Sequence, residues 1–142
     1  AWDGYEEIPA WIMQGYGTMA MEAGEQLKAQ GCERPTHIFV QAGVGSLAGA
    51  VVGYFSNLYA DNLPTFVVVE AEAAACLYKG AAAGESGAAP FGALAAMMTM
   101  DEYKDLRNDI GLDENSKVLL FSTEGDTDPD RYKNIVWKGL DK

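Results

Sequence analysis

The stretch that decides the fold is Thr36-His37-Ile38-Phe39-Val40-Gln41-Ala42-Gly43-Val44-Gly45-Ser46. Its first five residues form a short β-rich run after a proline, and a glycine-rich turn follows directly. From Leu47 to Tyr59 the sequence continues as an apolar helix with several small residues, which let a helix lie close to a sheet. The order is strand, loop and helix, the repeating unit of an α/β protein.

Elements of the same two kinds precede and follow this unit. Apolar residues recur every three to four positions over residues 9–28, which predicts a helix packed on one side that ends at Gly31. Two continuous apolar runs, residues 65–69 and 117–122, predict strands of the fully buried kind.

Two further helices are indicated by capping patterns. Thr99 and Glu102 have the spacing of a capping box, which predicts a helix over residues 100–109 that ends before a glycine. Asp128 precedes a proline and predicts another helix over residues 130–137. Because helix and strand alternate throughout, we predict an α/β fold with three layers and a mostly parallel sheet flanked by helices.

Composition limits the function classes. The chain has 142 residues and a mass of 15.2 kDa, the size of one domain. No apolar run approaches the roughly 20 residues that a membrane-spanning helix needs, which argues against a membrane protein. The net charge of −11 repels phosphate backbones and anionic lipid surfaces, so nucleic acid is not an expected partner.

The two cysteines and the first residues bear on the compartment. Cys32 and Cys76 stand far apart with no second pair, so neither a disulfide framework nor a zinc site is indicated. No basic and apolar export segment is present at the start, so we expect a reduced cytoplasm. The chain also lacks an initiator Met, and we expect it to be a piece of something longer.

Residues 72–92 are close to a low-complexity segment, with repeated alanines and glycines. Two interpretations stay open: an alanine-rich helix broken by a glycine loop, or a place where ordinary sequence is missing. We therefore describe residues 1–142 as a single partial α/β unit with a suspected missing or deleted segment near residues 79–85.

The glycine-rich turn is the strongest candidate site. Gly43, Gly45 and Gly49 open a helix directly after a strand, where backbone N–H groups converge and the helix dipole attracts an anion. This predicts a phosphate cradle, although a tight turn that needs glycine only for its backbone shape is the alternative. The spacing is one residue longer than the dinucleotide fingerprint, and Glu70 at a later strand end keeps a dinucleotide site open.

Other motifs are weaker. Asp126, Asp128 and Asp130 begin like a calcium loop but lack its glycine and its final glutamate, so a turn and a helix cap explain them. The run 84–88 misses the serine-hydrolase elbow, and His37, alone at the start of a strand, is expected to be structural. The methionines at positions 13, 19, 21, 97, 98 and 100 are expected to fill the core.

Several blocks of the sequence resemble diaminopropionate ammonia-lyase in the order found in that family. They are Trp2-Asp3-Gly4-Tyr5-Glu6-Glu7-Ile8-Pro9, Trp11-Ile12-Met13-Gln14-Gly15-Tyr16-Gly17-Thr18-Met19, Gln41-Ala42-Gly43-Val44-Gly45, Gly84-Glu85-Ser86-Gly87-Ala88 and Ser122-Thr123-Glu124-Gly125-Asp126-Thr127-Asp128. The first and last blocks are the most specific, whereas the glycine loop fits many pyridoxal-phosphate enzymes of fold type II, the tryptophan synthase β group.

The resemblance implies a homodimeric lyase that uses pyridoxal 5'-phosphate to convert a small amino-acid substrate, 2,3-diaminopropionate, to pyruvate and ammonia. It implies that backbone amides hold the cofactor phosphate and that Ser122 hydrogen-bonds the pyridine nitrogen, with Thr123 as the second candidate. Glu85 and Ser86 would lie near the ring. The phosphate-binding residues would be Gly43, Val44, Gly45, Ser46 and Leu47.

Two departures from the family pattern limit what carries over: the Schiff-base lysine is missing, and the long stretch that the family has between its counterparts of Lys79 and Gly84 is reduced here to a few alanines and glycines. The lysine that forms a Schiff base with the cofactor falls before Trp2 in the family, and no lysine of this chain lies in a comparable motif. No catalytic residue is therefore assigned, and the chain by itself is expected not to catalyse the reaction.

The alternative function is a non-catalytic α/β module that binds a nucleotide or another phosphorylated ligand through the loop 43–45. A third possibility is a scaffold.

Overall fold

A computed structural model describes residues 3–70 and 85–123 of the chain. Four helices and three strands are found in these ranges, together with a short 3-10 turn at Asp101–Tyr103. The helices are α1 (Glu7–Ala29), α2 (Ser46–Leu58), α3 (Glu85–Thr99) and α4 (Lys104–Asp109), and the strands are β1 (His37–Gln41), β2 (Thr65–Val69) and β3 (Val118–Leu120).

The three strands form one parallel sheet in the order β2-β1-β3. His37 of β1 is opposite Thr65 of β2 on one side and opposite Val118 of β3 on the other. All five residues of the central strand are buried. The parallel sheet predicted from the alternation of elements is confirmed.

Helices cover both faces of the sheet. Ile38 and Val40 point from β1 into a core built with Ala48, Val51 and Phe55 of α2, and α1 packs against α2. Phe39 lies between those two strand residues, so its side chain points to the opposite face. That face packs against α3, which contacts β1 and β2. The three-layer arrangement is therefore also confirmed.

Helix α1 ends where the sequence predicts. Gly31 has a φ of +75°, the left-handed conformation that favours glycine. The N–H of Gly31 donates to the carbonyl of Lys28 at 3.0 Å, and that of Cys32 donates to the carbonyl of Leu27 at 2.9 Å. These bonds satisfy carbonyl groups that the last turn leaves free.

The first half of α1 differs from the prediction of a helix packed on one side. Its buried residues, Ala20 and Gly24, both lie in the second half. Trp11 is 61% exposed, and Ile12 and Tyr16 are exposed as well. The apolar spacing predicted the helix correctly, but fully buried positions occur only in its second half.

The prediction that residues 65–69 and 117–122 form fully buried strands is wrong. β2 is mostly half-buried, with Val68 50% exposed, and β3 is half-buried along its length. The reason is strand order: both lie at the edges of the described sheet, and the central position belongs to the less continuously apolar β1.

The predicted capping box is also wrong. Thr99 is the last residue of α3, and its hydroxyl donates to the carbonyl of Ala95 at 2.7 Å instead of capping the next helix. The following 3-10 turn has no side-chain cap, and α4 starts only at Lys104. The helix predicted over residues 100–109 is therefore shorter than expected.

The methionines do not fill the core as predicted. Met19 packs against the core cluster and Met97 is half-buried. The others are exposed by more than a third of their surface: Met13, Met21, Met98 and Met100.

Some predictions fall on residues outside the described ranges. They concern Cys76, the acidic motif at 126, 128 and 130, the helix over residues 130–137, and the suspected missing segment near residues 79–85. Among the helices at 3–70 and 85–123, none combines the length and apolar character needed to cross a membrane.

Candidate functional site

The polar residues of the candidate site follow the carboxyl ends of the three strands. Gln41 is the last residue of β1, Glu70 follows β2, and Ser122 and Thr123 come shortly after β3. Since the strands are parallel, these ends meet at one edge of the sheet, where ligands of open α/β proteins bind. The fold therefore gathers residues that the sequence keeps far apart.

The glycine loop connects β1 to α2 at this edge. The N–H of Ala42 donates to the carbonyl of Val69 at 3.0 Å, which continues the sheet by one residue. Gly45 then takes a φ of +92° and is the N-cap of α2. A side chain is strained in that conformation, so glycine is required at this position for the turn.

The first turn of α2 is suited to an anion. No side chain caps this turn, and it contains no acidic residue. Its free N–H groups and the positive end of the helix dipole are therefore available to an anion. A Cβ added to Gly43 or Gly45 would meet nothing within 4 Å, and Val44 between them is fully exposed. The predicted phosphate residues share this single turn: Gly43, Val44, Gly45, Ser46 and Leu47.

Gln41 joins the loop to the end of β3. Its side chain is 7% exposed, and its Nε2 donates to Oγ1 of Thr123 at 2.9 Å. Its Oε1 is buried and has no hydrogen-bond partner among the described residues. Gln41 is not among the site residues that the sequence predicts, and the available signal is a polar residue at the end of a buried strand.

Glu85 and Ser86 are the first two residues of α3. Helix α3 contacts β1 and β2, and Glu85 and Ser86 lie in its first turn.

His37 lies at the other end of β1. Its ring is buried, with Nε2 2.9 Å from the carbonyl oxygen of Ile110 and Nδ1 2.8 Å from the hydroxyl of Thr36. Both ring nitrogens are engaged away from the glycine loop, which agrees with the structural role expected from the sequence.

A glycine loop that opens a helix without a side-chain cap, at the carboxyl edge of a parallel sheet, has the geometry of an anion-binding site in an α/β protein. Residues 3–120 match the family described as pyridoxal-phosphate dependent enzyme, and the chain belongs to that family. The family's cofactor is pyridoxal 5'-phosphate (PLP).

Among curated proteins, the chain is similar to diaminopropionate ammonia-lyase from Salmonella typhimurium (37% identical) and from Escherichia coli K12 (30% identical). Each comparison covers 98% of this chain and 51% of the relative. The chain thus spans about half the length of the curated relatives it matches.

Among solved structures, the chain is similar to those of a diaminopropionate ammonia lyase. The apo form of the E. coli diaminopropionate ammonia lyase is matched with a TM-score of 0.79 and 35% identity over 98% of this chain and 48% of that one. A complex of that enzyme with an aminoacrylate-PLP azomethine reaction intermediate is matched with a TM-score of 0.79 and 30% identity, covering 98% of this chain and 51% of that one.

The residues present fit the phosphate group of PLP. The free amides of the first turn of α2 supply donors, and the open space at Gly43 and Gly45 leaves room for an anion. The first turn of α2 thus offers hydrogen-bond donors and open space to an anion.

Proposed function

We propose that this chain is part of a diaminopropionate ammonia-lyase. That enzyme is a PLP-dependent carbon-nitrogen lyase, which converts 2,3-diaminopropionate to pyruvate and ammonia by α,β-elimination. The observation that carries the proposal is the structural likeness to the E. coli enzyme over 98% of this chain, at a TM-score of 0.81 and 32% identity. The glycine loop, which opens α2 without a side-chain cap, supports a cofactor site in this chain.

We propose the following roles for the residues at the carboxyl edge. The amides of residues 43–47 bind the cofactor phosphate, and Glu85 and Ser86 lie beside the ring. A hydroxyl after β3, Ser122 or as second candidate Thr123, donates to the ring nitrogen. When bound, PLP withdraws electrons from the α-carbon of an amino acid. A neutral hydroxyl at that place does not force the ring nitrogen to be protonated, so the carbanion is stabilised less and prompt loss of a β-leaving group is favoured.

We propose that no lysine of this chain forms the Schiff base and that the internal segment near residues 79–85 is shortened. The alignment with the Salmonella enzyme supports the second point, because it extends over 206 residues whereas this chain has 142. Borohydride reduction with an equimolar amount of PLP should therefore give only the distributed labelling that exposed lysines show with a free aldehyde, without one preferred site. A single stoichiometric adduct on one lysine would contradict the first point.

We further propose a homodimer that acts in the cytoplasm in amino-acid degradation. The exposed apolar first half of α1, with Trp11 61% exposed, supports an assembled state. Light scattering of the purified protein tests the dimer directly, and a monomeric mass across the micromolar range would contradict it.

The cofactor site is tested by titrating the purified chain with PLP and with pyridoxal, which lacks the phosphate. We expect PLP to bind and pyridoxal to bind at least about tenfold more weakly, because the loop contributes through the anion. The variant Gly45→Asp should lose PLP affinity, since it adds a negative charge at the N-terminus of α2 and a side chain where the φ of +92° favours glycine. Gly53→Asp adds the same charge at an exposed, open position of α2 and should retain it.

The outcomes separate the candidate functions. PLP binding that depends on Gly45 supports the lyase assignment, whereas preferential binding of an adenine nucleotide supports the phosphorylated-ligand module. Unchanged binding in Gly45→Asp would reject the loop as the site. Pyruvate formation from 2,3-diaminopropionate, measured with lactate dehydrogenase, is expected to be absent for this chain alone.

A further inference from the structure

Gln41 occupies an unusual position for an amide side chain. It ends the central strand β1, is 7% exposed, and leaves its Oε1 buried without a partner among the described residues. A buried polar atom without a hydrogen-bond partner lowers stability, and an apolar side chain of the same length would avoid that loss. The amide of Gln41 is therefore poorly explained by packing alone.

The hydrogen bond made by Nε2 of Gln41 suggests why an amide is present. Nε2 of Gln41 donates to Oγ1 of Thr123 at 2.9 Å, across 82 positions of sequence. A hydroxyl has one proton and two lone pairs, and this bond uses a lone pair. The proton of Thr123 therefore stays available for an acceptor at the carboxyl edge, where the Thr123 side chain is exposed.

The neighbouring hydroxyl is not held in this way. Ser122 is also exposed, but no hydrogen bond within residues 3–70 and 85–123 orients its side chain. A donor whose direction is fixed before binding loses less rotational freedom when the ligand arrives. Between the two hydroxyls, Thr123 is the one prepared to donate.

We propose that Gln41 is a positioning residue, which fixes the hydroxyl of Thr123 as the hydrogen-bond donor to the ring nitrogen of the cofactor. This inference rests on the proposed PLP site and deepens it: Thr123 replaces Ser122 as the ring contact. Gln41 acts through Thr123 and does not itself contact the ring.

A double-mutant cycle on PLP affinity tests the inference. Gln41→Met keeps the length of the side chain and removes the amide, and Thr123→Val keeps its branching and removes the hydroxyl. Each should weaken PLP binding by about 2- to 10-fold, the effect of one neutral hydrogen bond, and the double variant should be no weaker than Thr123→Val alone. Gln26→Met makes the first change at an exposed glutamine of α1 and should leave the affinity unchanged.

The same cycle with Ser122→Ala gives the contrast. If Thr123 is the donor, the effects of Gln41→Met and Ser122→Ala should multiply as independent changes. Coupling of Gln41 with Ser122, and independence from Thr123, would overturn the assignment. Absence of PLP binding in the unaltered chain would reject the proposed function, and this inference with it.

A pH series separates positioning from a purely structural role. In Gln41→Glu, the ionised carboxylate accepts the proton of Thr123 and so removes the donor, whereas the protonated acid donates as the amide does. The affinity of this variant relative to the unaltered chain should therefore recover as the pH falls, and that of Gln41→Met should stay constant. Circular dichroism at each pH confirms that the variants are folded. A constant ratio for Gln41→Glu would contradict the positioning role.

Discussion

Nε2 of His37 lies 2.9 Å from the carbonyl oxygen of Ile110, although 73 positions separate the two residues in the sequence. A carbonyl only accepts, so Nε2 carries the proton and donates it. The bond joins the amino end of the central strand to the end of α4. The glycine loop lies at the other end of the same strand.

Replacing His37 by leucine should destabilise the protein without affecting the cofactor site. The change leaves the carbonyl of Ile110 without its donor, so we expect the free energy of unfolding to fall by about 1–3 kcal/mol in urea denaturation. PLP affinity, measured where the variant is folded, should be retained. Loss of PLP binding by a folded His37→Leu protein would show that the histidine acts at the site.

Gly45 and Gly43 should respond differently to alanine. Gly45 has a φ of +92°, and a Cβ there costs about 1–2 kcal/mol in backbone strain although the surrounding space is open. Gly43 has no positive φ and the same open surroundings, so Gly43→Ala should change the unfolding free energy by less than about 0.5 kcal/mol. Equal losses in thermal denaturation would mean that backbone conformation does not explain the requirement for glycine.

Phe55 should be the most sensitive aromatic residue in the described core. It is fully buried, its ring stacks on Tyr59 at 5.9 Å, and it lies 6.4 Å from the ring of Phe121. Phe55→Ala should lower the unfolding free energy by about 3–5 kcal/mol. Phe91→Ala makes the same change where the ring is 56% exposed, and less than about 1 kcal/mol is expected in the same urea titration. Similar losses at both sites would contradict the assigned core.

The Asp113 carboxylate should titrate below its usual value of 3.8, because the hydroxyl of Ser116 and then the N–H of Asn115 donate to it and lower its pKa. The unfolded chain binds the proton first as the pH falls. The stabilisation is therefore present above pH 3.8 and is lost as the pH drops through the lower folded pKa.

An NMR titration of the Asp113 side chain tests this prediction. Ser116→Ala should raise its pKa toward the usual value, while Ser56→Ala, which removes a hydroxyl from α2, should leave it in place. A normal pKa in the unaltered protein would show that the turn at 113–116 is not formed in solution.

Local signals in the sequence predicted much of the fold. The three-to-four spacing and Gly31 located α1 closely, and the β-rich run followed by glycines located β1, its loop and α2. The capping box at Thr99 failed because the hydroxyl bonds back to Ala95 of its own helix, a competition that spacing alone does not resolve. The buried strands were predicted wrongly because continuous apolar character does not specify which strand is central.

The candidate site was predicted where it is contiguous and missed where it is not. Gly43 to Leu47 form one turn, so their shared role is visible from the order of residues. The bond from Gln41 to Thr123 forms only when β1 and β3 pair in register, and no local pattern in either segment indicates the other.

The sequence by itself determined the alternation of helix and strand, and with it the parallel sheet and the helix-opening glycine loop, because these depend on local backbone preference and side-chain periodicity. Only the tertiary structure decided that β1 lies between β2 and β3 and that Gln41 reaches Thr123. Strand order and contacts between distant residues are set by how whole elements pack, a cooperative free energy to which each local segment contributes only part.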